Sequence, residues 1–441
     1  MVRSLAVLLA LSLAVPAAAH VGQLQEGREA FLVDGDLVGG LSTWGIVLPV
    51  GNHWERVCEE AIGPVAFFAR RRASGDILVG TLEGLMVTSD EGCSYQLVSG
   101  ALDTHSPSAM VAVGSRLFAT TAHYGQANGI YVSDDDGESW TLAHGPVTDT
   151  ALFQLQASAD GTHLMATGSR TGASTSPVVL VSVDGGDSFQ DASAGYGGYV
   201  IVSALGFREN GTTAMISAMT SDNQFRVLGA AAGSYASPTT IGTLPSEAKS
   251  GVDWNNTVWV ITPLAGMLYR KGAADADFVQ VSDTTSGPTK CIAKHPDGDR
   301  LLGCGRQAIG NPGLFMESTD GVTWSALLGF DDIAYRICPE DTAGFTMCAT
   351  YFESSCGNNE DEDFDQLVDC DDDDCAFRCG GEGEGEGEGD PGEGEGDPGE
   401  GEGEGEGEPR GCPCNGGSGV ELSLLALLAL TARYRRGASA G

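Results

Sequence analysis

The densest set of ligand-type side chains lies near the C-terminal end of the chain. Asp361, Asp363 and Asp365 alternate along one short stretch, and Asp369 and Asp372 follow. Carboxylates at positions 1, 3 and 5, the Leu367 carbonyl at 7, Asp369 at 9 and Asp372 at 12 have the oxygen-donor spacing of a Ca²⁺ loop. Cys356, Cys370, Cys375 and Cys379 surround them, enough for two disulfides to staple a piece too small for its own core. The other reading of the same residues is an acidic, disulfide-closed spacer that binds cations diffusely, because Gln366 stands where the turn glycine belongs. Other chemistry is sparse. The seven histidines lie singly and form no HExxH, and no GxSxG, P-loop or dinucleotide-binding glycine pattern occurs.

A second set of aspartates recurs at regular intervals. Thr88-Ser-Asp90-Glu-Gly92-Cys-Ser94-Tyr95 is followed by Ser133-Asp-Asp135-Asp-Gly137-Glu-Ser139-Trp140 and by Ser182-Val-Asp184-Gly-Gly186-Asp-Ser188-Phe189. A shortened copy, Ser318-Thr-Asp320-Gly321-Val-Thr323-Trp324, comes later. Each copy follows an apolar run, such as Gly84-Leu-Met-Val or Gly129-Ile-Tyr-Val. Ser/Thr and Asp side chains can hold the N–H groups of a tight turn, and glycine there can take positive φ. The closing aromatic fills space between packed sheets. These aspartates therefore read as turn residues rather than catalysts.

The elements that carry these turns follow from the aromatic positions. Trp54, Tyr95, Trp140, Phe189, Tyr235, Phe278 and Trp324 recur with a mean period of about 45 residues, the length of a four-stranded blade. Seven blades follow, an all-β seven-bladed β-propeller over residues 20–352. The repeats around Trp54, Tyr235 and Phe278 keep the apolar run and the aromatic but lack the Asp turn. The first repeat shows strands at Trp44–Leu48 and Trp54–Glu59, with no clear pair before them. Two spare strands, Ile333–Cys338 and Phe345–Phe352, match Lys290–Lys294 and Arg300–Arg306 down to their cysteines. The expectation is that this C-terminal pair completes the first blade and removes exposed edges. It pairs Cys291 with Cys304 and Cys338 with Cys348 and leaves Cys58 and Cys93 open.

This S/T-x-D-x-G-x-S/T-aromatic pattern resembles the Asp-box, or BNR, repeat of sialidase-type β-propellers over roughly residues 40–330. The resemblance implies that the box joins the third and fourth strands of a blade. It also raises the question of sialidase chemistry, which needs an arginine trio, a Tyr nucleophile with a carboxylate partner and an acid. The usual Phe-Arg-Ile-Pro motif is absent, and Arg70, Arg71 and Arg72 are contiguous, so they alternate faces on a strand. Related Asp-box glycanases use two aspartates, and nothing here singles out a pair. His123 and Tyr124 stand alone.

Charge and the two ends indicate location. Of the formal charge of −38, residues 356–410 carry −21, from 23 acids against two arginines. With 23 Lys+Arg against 61 Asp+Glu overall, no phosphate-neutralising face is available and nucleic acid is excluded as a partner. Residues 380–410, a Gly/Glu run, form a solvated stalk held open by like charge. Residues 1–19 read as a signal peptide, with Arg3, an apolar run to Val15 and cleavage before His20. At the other end, segment 411–441 has Gly411-Cys412-Pro413-Cys414, an apolar run from Leu422 to Ala432 and then Arg433, Arg435 and Arg436. The order resembles the MYXO-CTERM sorting tail of bacterial surface proteins. That resemblance implies processing by a sorting protease and attachment at the outer membrane through Cys412 or Cys414. The 353–379 module resembles the Cys-stapled DxDxDGxxDC repeats found beside such tails. Together these readings describe a surface-anchored, non-enzymatic binding module for an extracellular glycan or protein. The alternative is a secreted glycoside hydrolase whose carboxylate pair the sequence does not reveal.

Overall fold

The computed structural model describes residues 25–348, apart from 34–35, 64–65, 124–125, 171–175, 263–266, 283–286, 308–310, 331, 337 and 340. The chain divides into two units, Met1–Gly383 and Glu384–Gly441, and all described residues belong to the first. They form seven antiparallel four-stranded blades, each built from consecutive strands, and one blade carries a fifth strand. The innermost strands are Gly27–Val33, Ala66–Arg71, Pro107–Val113, Thr150–Ala157, Tyr199–Phe207, Ser250–Trp254 and Cys291–Lys294. Antiparallel order places the 1–2 and 3–4 turns at one end of every blade, here the hairpin face. The 2–3 turns and the crossings to the next blade lie at the other, the crossing face.

The core lies between blades, because each sheet buries both faces against its neighbours. Leu78 and Leu85 of blade 2 pack with Leu117, Tyr131 and Trp140 of blade 3. Phe118 and Ile130 of blade 3 meet Leu152, Leu164 and Val178 of blade 4. The repeat aromatics Trp140, Tyr235 and Trp324 are buried, as space-filling between sheets requires.

The first blade differs from its sequence reading in its inner half. Gly27–Val33 and Asp36–Ser42 supply its first two strands, ahead of Gly45–Val50 and His53–Val57. The C-terminal segment does return to this blade, as expected, but with its inner positions filled it adds outside. Ile333–Tyr335 pairs parallel with the fourth strand, Ile333 opposite Trp54 and Tyr335 opposite Arg56. Its expected partner strand is instead a helix, Ala343–Cys348. The cysteines correct accordingly. Cys291–Cys304 forms as expected, across directly opposed residues of one hairpin. Cys338 and Cys348 do not pair with each other. They reach different blades, as Cys93–Cys338 and Cys58–Cys348.

Blades 1 and 7 share no strand, so other bonds join them. Gly27 N–H donates to Gly305 O at 2.9 Å and Gln307 N–H to Gln25 O at 2.7 Å. The buried Glu26 carboxylate takes Arg306 at 2.5 Å and Lys290 at 3.1 Å.

Candidate functional site

The recurring Asp turns all lie on the hairpin face, between the third and fourth strands of their blades. In blade 4, Ser182 Oγ donates to Asp184 Oδ1 (2.7 Å) and accepts from Gly186 N–H (2.8 Å). Asp184 in turn accepts from Ser188 N–H (3.0 Å) and Ser188 Oγ (2.5 Å). Ser133, Asp135, Gly137 and Ser139 repeat this set, as do Thr88, Asp90, Gly92 and Ser94. In the shortened copy Asp320 receives the N–H groups of Val322 and Thr323, both at 2.7 Å, and Ser318 Oγ that of Gly321 at 2.8 Å. Hydrogen bonds from Ser139 and Ser188 hold Asp135 and Asp184 down to about 2, and the Thr323 and Val322 amides do the same for Asp320. At Asp90 burial opposes ionisation, but hydrogen bonds from Ser94 and Thr88 outweigh it and the shift is downward. A carboxylate with its acceptors filled and its pKa lowered is a poor proton donor at neutral pH.

The glycines of these turns rest on the preceding blade. At Gly186, φ is +92° and an added Cβ would lie 2.3 Å from Phe118 Cζ; at Gly321, φ is +75° and the distance is 2.2 Å to Trp259 Cη2. Trp140 closes its own turn through Nε1–H to Gly137 O at 3.2 Å. Phe189 stacks obliquely on His144, and Tyr95 packs between blades 1 and 2. The sequence did not show that Ser158–Asp160, in a 1–2 turn, and Thr220–Asp222, in a 2–3 turn, make similar side-chain pairs.

The crossing face carries a different pattern, which spacing alone could not reveal. In five blades the innermost strand has one extra residue near this end: Arg28, Phe67, Ser108, Phe153 and Val200. A bulge re-aims the side chain of its extra residue and frees the adjoining backbone groups. Two of these carbonyls are taken by the blade before. Arg28 Nη1 donates to Ala66 O (2.6 Å), and Ser108 Oγ to Leu152 O, each immediately before the next bulged residue. Phe67 and Phe153 are left 40% exposed, although they sit on innermost strands. Both rings lie towards the crossing-face end of their strands.

Two carboxyls lie close to the bulged Arg28. Glu29, next to Arg28, accepts Ala69 N–H at 3.0 Å and is pushed up to about 7 by burial, against the pull of that bond and of Arg70. Glu59, in the short helix Glu59–Ile62 that leads into blade 2, also rises to about 7. Burial comes first there and Glu60 second, opposed by Arg28. Further round, His123, Gln126, Asn128 and Asp149 line a shallow hollow of about 160 Å³. The buried Asn128 shapes it by donating to His123 O and Thr150 O and accepting His123 N–H. Arg170 and Asp191, 3.3 Å apart, border a second hollow in blade 4. Ser42, Thr81, Thr121 and Thr262 end second strands here, and their hydroxyls close the 2–3 turns on Gly45 O, Gly84 O, Gly129 O and Met267 O. That recurring Ser/Thr at the end of an apolar run was the sequence signal for this face.

One His/Asp cluster occurs among the described residues, His295, Asp297 and Asp299 on the hairpin face. Arg300 lies within 3.5 Å of Asp297 and 3.8 Å of Asp299 and reaches Glu317 at 3.2 Å, so a shared guanidinium offsets part of this charge. Asp361, Asp363, Asp365, Asp369 and Asp372, expected from their spacing to ligate Ca²⁺, lie outside the described residues together with Cys412 and Cys414, as does Tyr124.

No family model matches the chain, and no curated protein matches it. Solved structures resemble it in fold. The GH74 enzyme of Niastella koreensis is 16% identical, with a TM-score of 0.43 over 69% of this chain and 55% of its own. The GH74 xyloglucanase of Xanthomonas campestris is 11% identical, with a TM-score of 0.42 over 67% of this chain and 52% of its own. YCF48 bound to D1 peptide is 15% identical, with a TM-score of 0.39 over 59% and 79%. The chain thus spans about half the length of the two GH74 enzymes. At such identities and TM-scores the likeness says nothing of activity, and the seven-bladed β-propeller is read from the chain's own strand order.

Proposed function

We propose that this propeller is a non-enzymatic binding module displayed outside the cell, taking an extracellular glycan or protein at the mouth of its channel on the crossing face. The ring of bulges carries this reading. Five innermost strands each carry a bulged residue there, and two of these residues present phenyl rings to solvent, an apolar surface that a ligand could cover. Polar neighbours such as Arg28 and Asn128 supply the few fixed groups that orient a bound molecule. The four hydrogen-bonded turns on the hairpin face serve as Asp-boxes in this reading and hold the scaffold. The tail supplies display, with the Gly/Glu stalk giving reach, the sorting protease acting at the 411–441 segment and the outer membrane as anchor. The 353–379 module supplies a Ca²⁺ site on that stalk.

The second reading, a glycoside hydrolase, rests on Glu29 and Glu59. A carboxyl held near 7 is protonated often enough at neutral pH to serve as a general acid. Binding of the whole secreted protein to glycan and protein arrays, run beside turnover assays on the bound glycans, separates the two. Retained ligand without turnover supports the module. Turnover abolished by Glu59→Gln supports the hydrolase.

A further inference from the structure

The chain beyond blade 7 makes a strap over two blade boundaries. Ile333–Tyr335 lies on the outer edge of blade 1. Tyr335 and Trp44 sandwich the buried Arg56 guanidinium, 3.9 and 4.5 Å from the ring centres. Arg336 then bridges the blades, reaching Glu55 of blade 1 at 3.2 Å and Glu91 of blade 2 at 2.6 Å. Cys338 bonds to Cys93, inside the Asp turn of blade 2, and Gly344 N–H donates to Cys93 O at 2.7 Å. Cys348 ends the strap on Cys58, where blade 1 leaves for blade 2. Blade 7 is thereby tied covalently to blades 1 and 2.

We propose that this strap is a redox-sensitive clasp: its two disulfides, rather than its short strand pairing, keep the strap on the ring. All four cysteines are buried, 1–3% exposed, so a dithiol reaches them only after local opening. Each reduction consumes one dithiol. Two protein S–H groups form as the protein S–S bond breaks, and the dithiol closes to its own cyclic disulfide. With both bonds reduced, what remains is three paired residues, the Arg336 bridges, the Tyr335–Arg56 contact and the Arg336 and Gly344 N–H bonds; these do not offset the conformational entropy of the freed segment, and the edge of His53–Val57 opens. The Cys291–Cys304 bond is the internal control. Its strands belong to one hairpin and stay paired through backbone bonds when it is cut.

Hydrogen exchange of the whole protein, oxidised and after dithiothreitol with iodoacetamide capping, tests the clasp. Exchange at residues 53–57 and 333–335 is expected to rise at least tenfold once Cys58, Cys93, Cys338 and Cys348 are capped, with 151–157 and 213–220 unchanged. Quadruple replacement of these cysteines by serine is expected to reproduce that state, and C291S/C304S to leave exchange as it is. Unchanged protection at 333–335 with all four capped overturns the proposal, since the strap would then be held without its disulfides. Uniform loss of protection in every blade also overturns it, since the bonds would then be holding the whole fold.

Discussion

Asp184→Ala removes the acceptor of three hydrogen bonds from Ser182 Oγ, Ser188 N–H and Ser188 Oγ while changing nothing in the core. At about 0.5–1.5 kcal/mol per bond, and near the lower figure for an exposed carboxylate, the loss is about 2 kcal/mol at pH 7. Asp184→Asn retains an oxygen for the Ser188 amide and loses about half as much. The pH dependence has a definite sign. The folded carboxyl sits at about 2, below its unfolded value, so its ionic share is present above about pH 4 and lost as pH falls through the folded value. Solvent screening of this exposed group limits that share to about 1 kcal/mol. Urea melts of wild type and both variants at pH 7 and pH 3 measure these differences. The Ala penalty is expected to shrink at pH 3 while ligand binding at pH 7 stays at the wild-type level. An equal penalty at both pH values refutes the role of the carboxylate charge, and loss of binding with the fold intact refutes a purely structural turn.

Other outcomes follow from the same geometry. Gly186→Ala forces a Cβ onto the fully buried Phe118 ring at positive φ and is expected to cost about 3–4 kcal/mol, read as a lowered melting midpoint. Glu29 is raised to about 7, so its contribution to stability is full below about pH 4 and lost as pH rises towards 7. Glu29→Gln keeps an acceptor for Ala69 N–H and is expected to match wild type in thermal melts at pH 5 and exceed it at pH 8. Replacing Cys58 and Cys348 by serine reopens a loop of only about 45 residues while Cys93–Cys338 remains, so calorimetry is expected to show at most about 4 kcal/mol lost.

The repeat was legible because one aromatic per blade and the Asp turns recur at nearly fixed intervals, and both features depend on local chemistry. The inner strands of blade 1 were missed although Asp34-Gly35 between two apolar runs is a strong hairpin signal. No closing aromatic or Asp turn marked that stretch. The partners of Cys58 and Cys93 were not legible, because their bonds span 290 and 245 residues and depend on where the strap crosses a blade boundary. The bulges escaped for a related reason. Nothing local in Arg28, Phe67, Ser108 or Phe153 announces an unpaired residue, which appears only once the register of the second strand is known. The hairpin-face scaffold is therefore legible in local sequence, and the bulged crossing-face ends are not.

The proposed ligand site at the crossing face is tested most directly at its two exposed rings. Phe67→Ala/Phe153→Ala removes two half-exposed rings, a change the fold should tolerate, and the whole protein can be compared with wild type on the same glycan and protein arrays. Ligands held by wild type and by Asp184→Ala are expected to bind the double variant at least tenfold more weakly at an unchanged melting midpoint. Undiminished binding by the double variant would contradict the proposed site.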